Sequence, residues 1–152
     1  MIWTVSEEDL KEIRPVADEL GVGISMHISE TSFEREVSQQ KYGMDDLEVA
    51  EKVGLLGPDF LAVHCVLLNA KDIRILKSYD AKVSHNPVSN MYLASGTPPI
   101  PEMLMAGITV GLAVDGAASN NNQDMIESMK FASLLQKVHA RDPTVITAEK
   151  VM

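Results

Sequence analysis

The sequence predicts an α/β fold with parallel strands, of the kind found in a (β/α)8 barrel. Three observations support this prediction. Short apolar runs alternate with helical segments, each run ends in an ionisable side chain, and no glycine-rich phosphate loop follows any run. Apolar runs that alternate with helices are typical of parallel strands buried on both faces. A barrel carries its functional residues at the carboxyl ends of its strands, whereas a dinucleotide-binding sheet would need the missing loop.

The first half of the chain contains two predicted strands, each preceded by helical sequence. A helix is expected to begin after Ser6, because acidic residues follow this capping residue and apolar residues recur at helical spacing, and to end at Gly21. The predicted elements after it are a strand over Val22–Ile28, a polar, helical stretch from about Phe33 to Val53, and a strand over Phe60–Val66.

The second half continues the alternation. The predicted elements are a helix over Lys71–Tyr79, a strand over Ala81–His85, a helix over Pro98–Ala106, a strand over Ile108–Val114, a long helix over Asp124–Val138 and a last helix from Thr147. Met125, Met129, Ala132 and Leu135 recur at helical spacing, so we expect them to form the inward face of the long helix.

Composition excludes several classes of protein. The 152 residues suffice for one domain, and 45% hydrophobic with 23% charged residues is typical of a soluble globular protein. No apolar run approaches the roughly 20 residues of a membrane helix, and the first residues do not form a signal peptide. Cys65 is the single cysteine, so no internal disulfide forms, which fits a cytoplasmic location. The net charge of -9 argues against nucleic-acid binding.

Ionisable side chains lie at or beside the carboxyl ends of all four predicted strands. These residues are His27, His64, His85 and Asp115, and they include three of the four histidines. Imidazole and carboxylate groups are the ligands of catalytic zinc or iron sites with an open position. A bound metal lowers the pKa of a water molecule, and a carboxylate must then move protons. Glu30, three residues after His27, is the candidate for this role.

Each candidate also has a structural explanation. Glu30 is equally consistent with a solvated loop carboxylate, and the segment from His85 to Asn90 with a plain turn. The segment after Asp115 is a turn that caps the long helix, although this does not account for an acid at the strand end. Cys65 is interpreted as a core residue and His139 as a favourable charge at a helix end.

Four segments together resemble the amidohydrolase superfamily. They are His27–Thr31, Ala62–Val66, Ser84–Met91 and Val114–Asn122, and they occur in the family's order over the whole chain. The resemblance is to the branch of methylthioadenosine/S-adenosylhomocysteine deaminases and triazine chlorohydrolases. Leu93–Gly96 and Leu134–Lys137 also resemble this branch.

The resemblance implies a role for each residue. His27 corresponds to the metal-binding histidine after barrel strand five, and Glu30 to the glutamate that shuttles protons and contacts the substrate. His64 corresponds to the strand-six histidine that orients the hydrolytic water or the leaving group. Asp115 corresponds to the strand-eight aspartate, which binds the metal, accepts the water proton and contacts the substrate. His85, in the strand-seven motif, is expected to line the substrate site.

The resemblance also implies that residues 1–152 are the C-terminal half of an amidohydrolase barrel domain, truncated at both ends and containing about strands five to eight. The family's His-x-His pair of metal ligands is absent from the sequence. A complete barrel takes about 250 residues. An incomplete barrel should expose its interior strand faces, to which Ala62, Val110 and Leu112 are assigned, and should associate with a second copy or with the missing half.

The implied function is metal-dependent hydrolysis of a carbon–nitrogen bond in a cyclic amidine. The resemblance favours deamination of an aminopurine nucleoside, with one divalent metal, zinc before iron, and a small heterocyclic substrate. One alternative is a triazine-type chlorohydrolase or another heterocycle deaminase. Another alternative is a non-catalytic half-barrel. Under all of these interpretations, the 152 residues alone are expected to be inactive. No nucleic-acid or membrane partner is expected.

Overall fold

The sheet of the protein is parallel and follows the order of the chain. The computed structural model describes residues 1–152. The strands are β1 (Ile24–Ile28), β2 (Phe60–His64), β3 (Lys82–His85) and β4 (Val110–Leu112). Each strand pairs in parallel with the next, in the order β1-β2-β3-β4. This confirms the predicted α/β class, and the strand order never reverses as it does in a doubly wound sheet.

Helices connect the strands and cover one face of the sheet. They are α1 (Glu7–Leu20), α2 (Ser32–Tyr42), α3 (Asp46–Lys52), α4 (Ala70–Ser78), α5 (Pro87–Tyr92), α6 (Ile100–Met105), α7 (Met125–Ala140) and α8 (Ala148–Val151). The ends of α1 confirm the prediction, because the Ser6 side chain accepts a hydrogen bond from the Asp9 N–H and Gly21 closes the helix in the left-handed conformation. None of these helices combines the length and the apolar character needed to cross a bilayer.

Two helical regions differ from the prediction. The stretch predicted as helical from about Phe33 to Val53 is divided into α2 and α3, because Gly43 adopts a left-handed φ of 71° at the end of α2. A capping box between Asp45 and Glu48 then starts α3. The short helix α5 was not predicted, since six residues are too few to show periodicity. It begins at Pro87, a residue that suits the first turn of a helix.

The buried face of the sheet packs against the helices. Met26, Ala62 and Val83 are aligned across β1, β2 and β3, and all three belong to the hydrophobic core. The opposite face is more open, since Ser25 is exposed and its partner Leu61 keeps 37% of its surface accessible. In a closed barrel this second face would be the interior.

The assignment of Ala62, Val110 and Leu112 to the interior face was therefore wrong. Ala62 is completely buried, Val110 pairs with the core residue Val83, and Leu112 pairs with buried His85. All three lie on the helix-covered face. Successive side chains of a strand point to opposite faces of the sheet, so the sequence shows which residues share a face. A strand that is apolar throughout does not indicate which of the two faces the helices cover.

The long helix α7 buries small and polar residues in place of the predicted apolar face. Its buried residues are Ser128, Ala132, Ser133 and Gln136. Ala132 confirms the prediction, but Met125 is 41% exposed, and Met129 and Leu135 are only partly buried. Two of these buried polar side chains donate to backbone carbonyls, Ser133 to Ile146 and Gln136 to Pro98, whereas the Ser128 hydroxyl has no partner.

Candidate active site

Four predicted site residues come together at the carboxyl edge of the sheet. His27 lies in β1, His64 ends β2, Glu30 lies in the loop after β1, and Asp115 follows β4. The sequence-based expectation that these residues converge agrees with this geometry, because the carboxyl ends of parallel strands meet at one edge.

The backbone at this edge is unusual for residues with side chains. His64 has a φ of 69° and Asp115 a φ of 62°, and Ser29 and Cys65 also adopt positive values. Non-glycine residues rarely adopt this left-handed conformation, and it persists where the surrounding structure demands it. The turn at each strand end directs the following chain across the edge of the sheet, which is where functional side chains are found in such folds.

Glu30 lies between the two histidines. Its Oε2 is 3.3 Å from His27 Nδ1 and 3.7 Å from His64 Nε2. The two imidazole rings are 4.5 Å apart between centroids, and His64 Nε2 lies 3.9 Å from Asp115 Oδ2. Glu30 and His64 are buried, whereas His27 is 38% exposed and Asp115 26% exposed, measured on the side chains. The cluster therefore has a buried side and an open side.

The same residues could hold a metal ion. Each of His27, Glu30 and His64 offers a ligand atom within 4.8 Å of the others. Two imidazoles and a carboxylate form a donor set suited to catalytic zinc. The buried His64 Nε2 has no hydrogen-bond partner in the protein, so it is free to bind an incoming group. This grouping suggests a metal. It contains His27, Glu30 and His64, whereas the family resemblance implies His27 and Asp115 as the metal ligands.

Hydrogen bonds determine the ionisation of the acidic groups in the cluster. The hydrogen bond between Glu30 and His27 lowers the pKa of the carboxyl group against the opposing effect of burial, and it raises the pKa of the imidazole. Burial alone would raise the pKa of Asp115. Hydrogen bonds from Ser89, the Gly116 N–H and Ser119 outweigh this effect and hold the pKa below its usual range. Both carboxyl groups are therefore ionised at neutral pH.

Polar residues that the sequence did not single out support the cluster. Ser89 donates to Asp115 at 2.7 Å, Asn90 contacts His64 Nδ1 at 2.9 Å, and Ser95 donates to Glu30 at 3.4 Å. All three follow β3 within or just after α5. The resemblance included Ser89 and Asn90 in a motif, but their contacts depend on tertiary structure and no sequence signal assigned them.

Two buried acids hold the loop that carries Glu30. The Ser29 N–H and hydroxyl both donate to Asp46, at the start of α3, and the Glu30 N–H donates to Glu34 at 2.9 Å. Burial raises the pKa of both acids. The backbone on either side of Ser29 is thus fixed by side chains from α2 and α3.

His85 is not part of this cluster. It follows Val83 on the helix-covered face, it is 1% exposed, and neither ring nitrogen has a hydrogen-bond partner. Burial, with a smaller effect of His64, lowers its pKa to about 4, so the ring is neutral. It lines a mainly apolar cavity of about 290 Å³ formed with β4, α6, α7 and α8. The structure therefore gives no direct support to a substrate contact by His85.

The two residues interpreted as structural agree with that interpretation. His139 is exposed in the last turn of α7, and Cys65 is buried in the core.

Comparison with known sequences gives long matches to deaminases. The model of the Amidohydrolase family matches residues 1–152. A 5'-deoxyadenosine deaminase of Methanopyrus kandleri is 51% identical over 142 residues, which are 93% of this chain and 33% of the relative. A 5-methylthioadenosine/S-adenosylhomocysteine deaminase of Thermococcus onnurineus is 46% identical over 149 residues, or 98% of this chain and 35% of the relative. The chain thus spans about a third of the length of these relatives.

Solved structures show the same fold. An adenosine deaminase from Xanthomonas campestris with bound zinc superposes with a TM-score of 0.93 at 31% identity, covering 97% of this chain and 34% of that chain. A zinc complex of atrazine chlorohydrolase from Arthrobacter aurescens gives a TM-score of 0.90 at 24% identity, with 96% and 32% covered. The second likeness concerns the fold alone.

Proposed function

This chain belongs to the amidohydrolase family, and we propose from this premise that it is part of a metal-dependent deaminase of aminopurine nucleosides. The proposed substrate class is supported by the deaminases at 46% and 51% identity, whose names specify 5'-deoxyadenosine, methylthioadenosine and S-adenosylhomocysteine. The single observation that carries the proposal is the convergence of two imidazoles and two carboxylates at one edge of the sheet. We further propose that residues 1–152 supply strands five to eight of the barrel.

In this proposal, His27 and Asp115 hold a divalent cation, zinc before iron. The donor set fits this role, because imidazole nitrogen and carboxylate oxygen are common zinc ligands, and other parts of the protein would supply the remaining ligands. A cation bound there would make a water molecule nucleophilic near neutral pH. The exposure of His27 and Asp115 leaves the open side of the cluster accessible to such an ion and to a substrate.

Glu30 is assigned the proton transfer. Hydrolytic deamination adds water to the ring carbon that bears the amino group, moves a proton to the ring nitrogen and releases ammonia. A base must take the water proton and deliver it to the ring, and a buried carboxylate with a lowered pKa can begin this cycle unprotonated. His64 Nε2 lies 3.7 Å from Glu30, close enough for both groups to contact one water molecule.

Turnover measurements on the full-length protein that contains this chain test the proposal. The zinc-loaded protein is incubated separately with 5'-deoxyadenosine, methylthioadenosine and S-adenosylhomocysteine, and ammonia and the hypoxanthine-containing product are quantified. We expect one ammonia per product, loss of turnover on chelation and recovery with zinc. A protein that contains the metal but releases chloride from a chlorotriazine, or releases nothing from any of these compounds, would contradict the assigned reaction.

A further inference from the structure

The two ring nitrogens of His64 have different surroundings. The side chain is completely buried. Nδ1 lies 2.9 Å from Oδ1 of Asn90, whereas Nε2 has no hydrogen-bond partner and faces carboxylate oxygens of Glu30 and Asp115 at 3.7 and 3.9 Å. A neutral imidazole carries its proton on one nitrogen only, so the partner of Nδ1 determines what Nε2 can do.

We propose that Asn90 is a positioning residue that fixes His64 as the tautomer with its proton on Nδ1. An amide oxygen can only accept, so Nδ1 must donate in the 2.9 Å contact. Nε2 then presents a lone pair toward the centre of the cluster. A lone pair there can accept a hydrogen bond from a water molecule between His64 and Glu30. The effect of this tautomer on turnover rests on the proposed function, but the tautomer itself does not.

A second amide beside His64 favours the opposite tautomer. Nδ2 of Asn86 lies 3.4 Å from His64 Nδ1, and an amide nitrogen can only donate. The two contacts therefore compete for one nitrogen. We expect Asn90 to place a proton on Nδ1, because its contact is 0.5 Å shorter and hydrogen bonds weaken as the distance between donor and acceptor grows. The two carboxylates near Nε2 act in the opposite sense, since they attract a proton to that nitrogen. Without the Asn90 oxygen, Asn86 would donate to Nδ1 and the proton would move to Nε2.

A proton on Nε2 would put an N–H donor at the position where the proposed water molecule requires an acceptor. An Nε2–H would point at the carboxylates of Glu30 and Asp115 and donate to one of them, so it could no longer accept from water. Asn90 lies in the same short helix as Ser89, which donates to Asp115. One turn of α5 therefore orients two of the four clustered side chains, and α5 is itself packed against α7.

Ring-nitrogen NMR of histidine tests the tautomer directly. The full-length protein is labelled with 15N in its histidine rings, loaded with zinc and kept free of substrate. The His64 signals are identified by their loss in His64→Gln. A protonated ring nitrogen resonates far upfield of an unprotonated one, so the spectrum reports which nitrogen carries the proton. We expect Nδ1–H with an unprotonated Nε2 in the wild type. A proton on Nε2, alone or together with one on Nδ1, would overturn the proposal without any further variant.

Three variants separate tautomer control from general stability. Asn90→Leu should convert His64 to Nε2–H and lower kcat/KM by about 10- to 100-fold, the range seen when partners of metal-site residues are removed. Asn90→Asp keeps an acceptor oxygen and should retain the proton on Nδ1. Asn86→Leu, the matched control, removes the weaker contact and should also retain it. An unchanged His64 spectrum in folded Asn90→Leu would refute the role of Asn90. A correct set of spectra in a protein without deaminase activity would refute only the proposed function.

Discussion

His64 and Glu30 approach each other closely from separate strands, with 3.7 Å between Nε2 and Oε2, although 34 positions separate them in the sequence. The contact arises because both residues lie at or just after the carboxyl ends of neighbouring parallel strands, His64 at the end of β2 and Glu30 after β1. His64 pairs with Ile28 in the sheet, and Glu30 follows Ile28 by two residues. The chain turns at His64 with a positive φ, which brings the imidazole over the strand edge. An imidazole and a carboxylate so placed can act on one water molecule.

Replacement of Glu30 tests whether it transfers protons or binds metal. In the full-length protein, Glu30→Gln should retain zinc and the fold but lower kcat by at least about 10²-fold, the usual contribution of general acid–base catalysis. The amide preserves size and hydrogen bonding while it removes the base. Metal analysis and turnover of the same sample decide the outcome. A variant that loses its zinc would identify Glu30 as a ligand, in line with its place in the His27–Glu30–His64 group.

Replacement of His27 tests the proposed metal ligand. His27→Ala should lower zinc affinity by at least tenfold, because a nitrogen ligand is lost from the site. His139→Ala is the matched control, since His139 is exposed in the last turn of α7 and is not part of the cluster. Competition with a zinc chelator measures both affinities. Equal affinities in the two variants would remove His27 from the metal site.

Much of this site was predictable, because strand ends in a parallel sheet meet at one edge whatever the rest of the chain does. That rule brought His27, His64 and Asp115 together, and Glu30 followed by its spacing from His27. The position of Ala62 was not predictable, since an apolar strand gives no sign of which face the helices cover. The support from Asn90 was not predictable either, because it depends on how α5 packs over the sheet.

The buried His85 predicts acid sensitivity. Its pKa is lowered from 6.5 to about 4 by burial, so the unfolded chain takes up a proton at higher pH than the folded chain does. The stability associated with the neutral ring is fully present above pH 6.5 and is lost as the pH falls from 6.5 toward 4.

His85→Phe should remove this dependence, because phenylalanine fills a similar volume beside the cavity and cannot be protonated. Urea unfolding of the wild type and of His85→Phe, with a chelator present at pH 7 and at pH 4.5, gives the free energy of unfolding of each protein. We expect the wild type to lose more stability between these pH values than His85→Phe, by about 1 kcal/mol or more. Parallel losses in both proteins would show that His85 is solvated or hydrogen-bonded in solution.

The open face of the sheet predicts that residues 1–152 associate when they are produced alone. Strands β1 and β4 each have one unpaired edge, and Leu61 presents an apolar side chain on the face that lacks a helical cover. Unpaired strand edges and exposed apolar surface promote contact with other chains.

Light scattering on residues 1–152 should therefore give a mass above 16.6 kDa. Leu61→Lys should shift the mass distribution toward monomer by adding charge to the open face. Val138→Lys is the matched control, because Val138 is 78% exposed on α7, outside the sheet, and should leave the distribution unchanged. A monodisperse monomer that unfolds cooperatively would show that these four strands form a closed core without further chain, and the half-barrel interpretation would then be wrong.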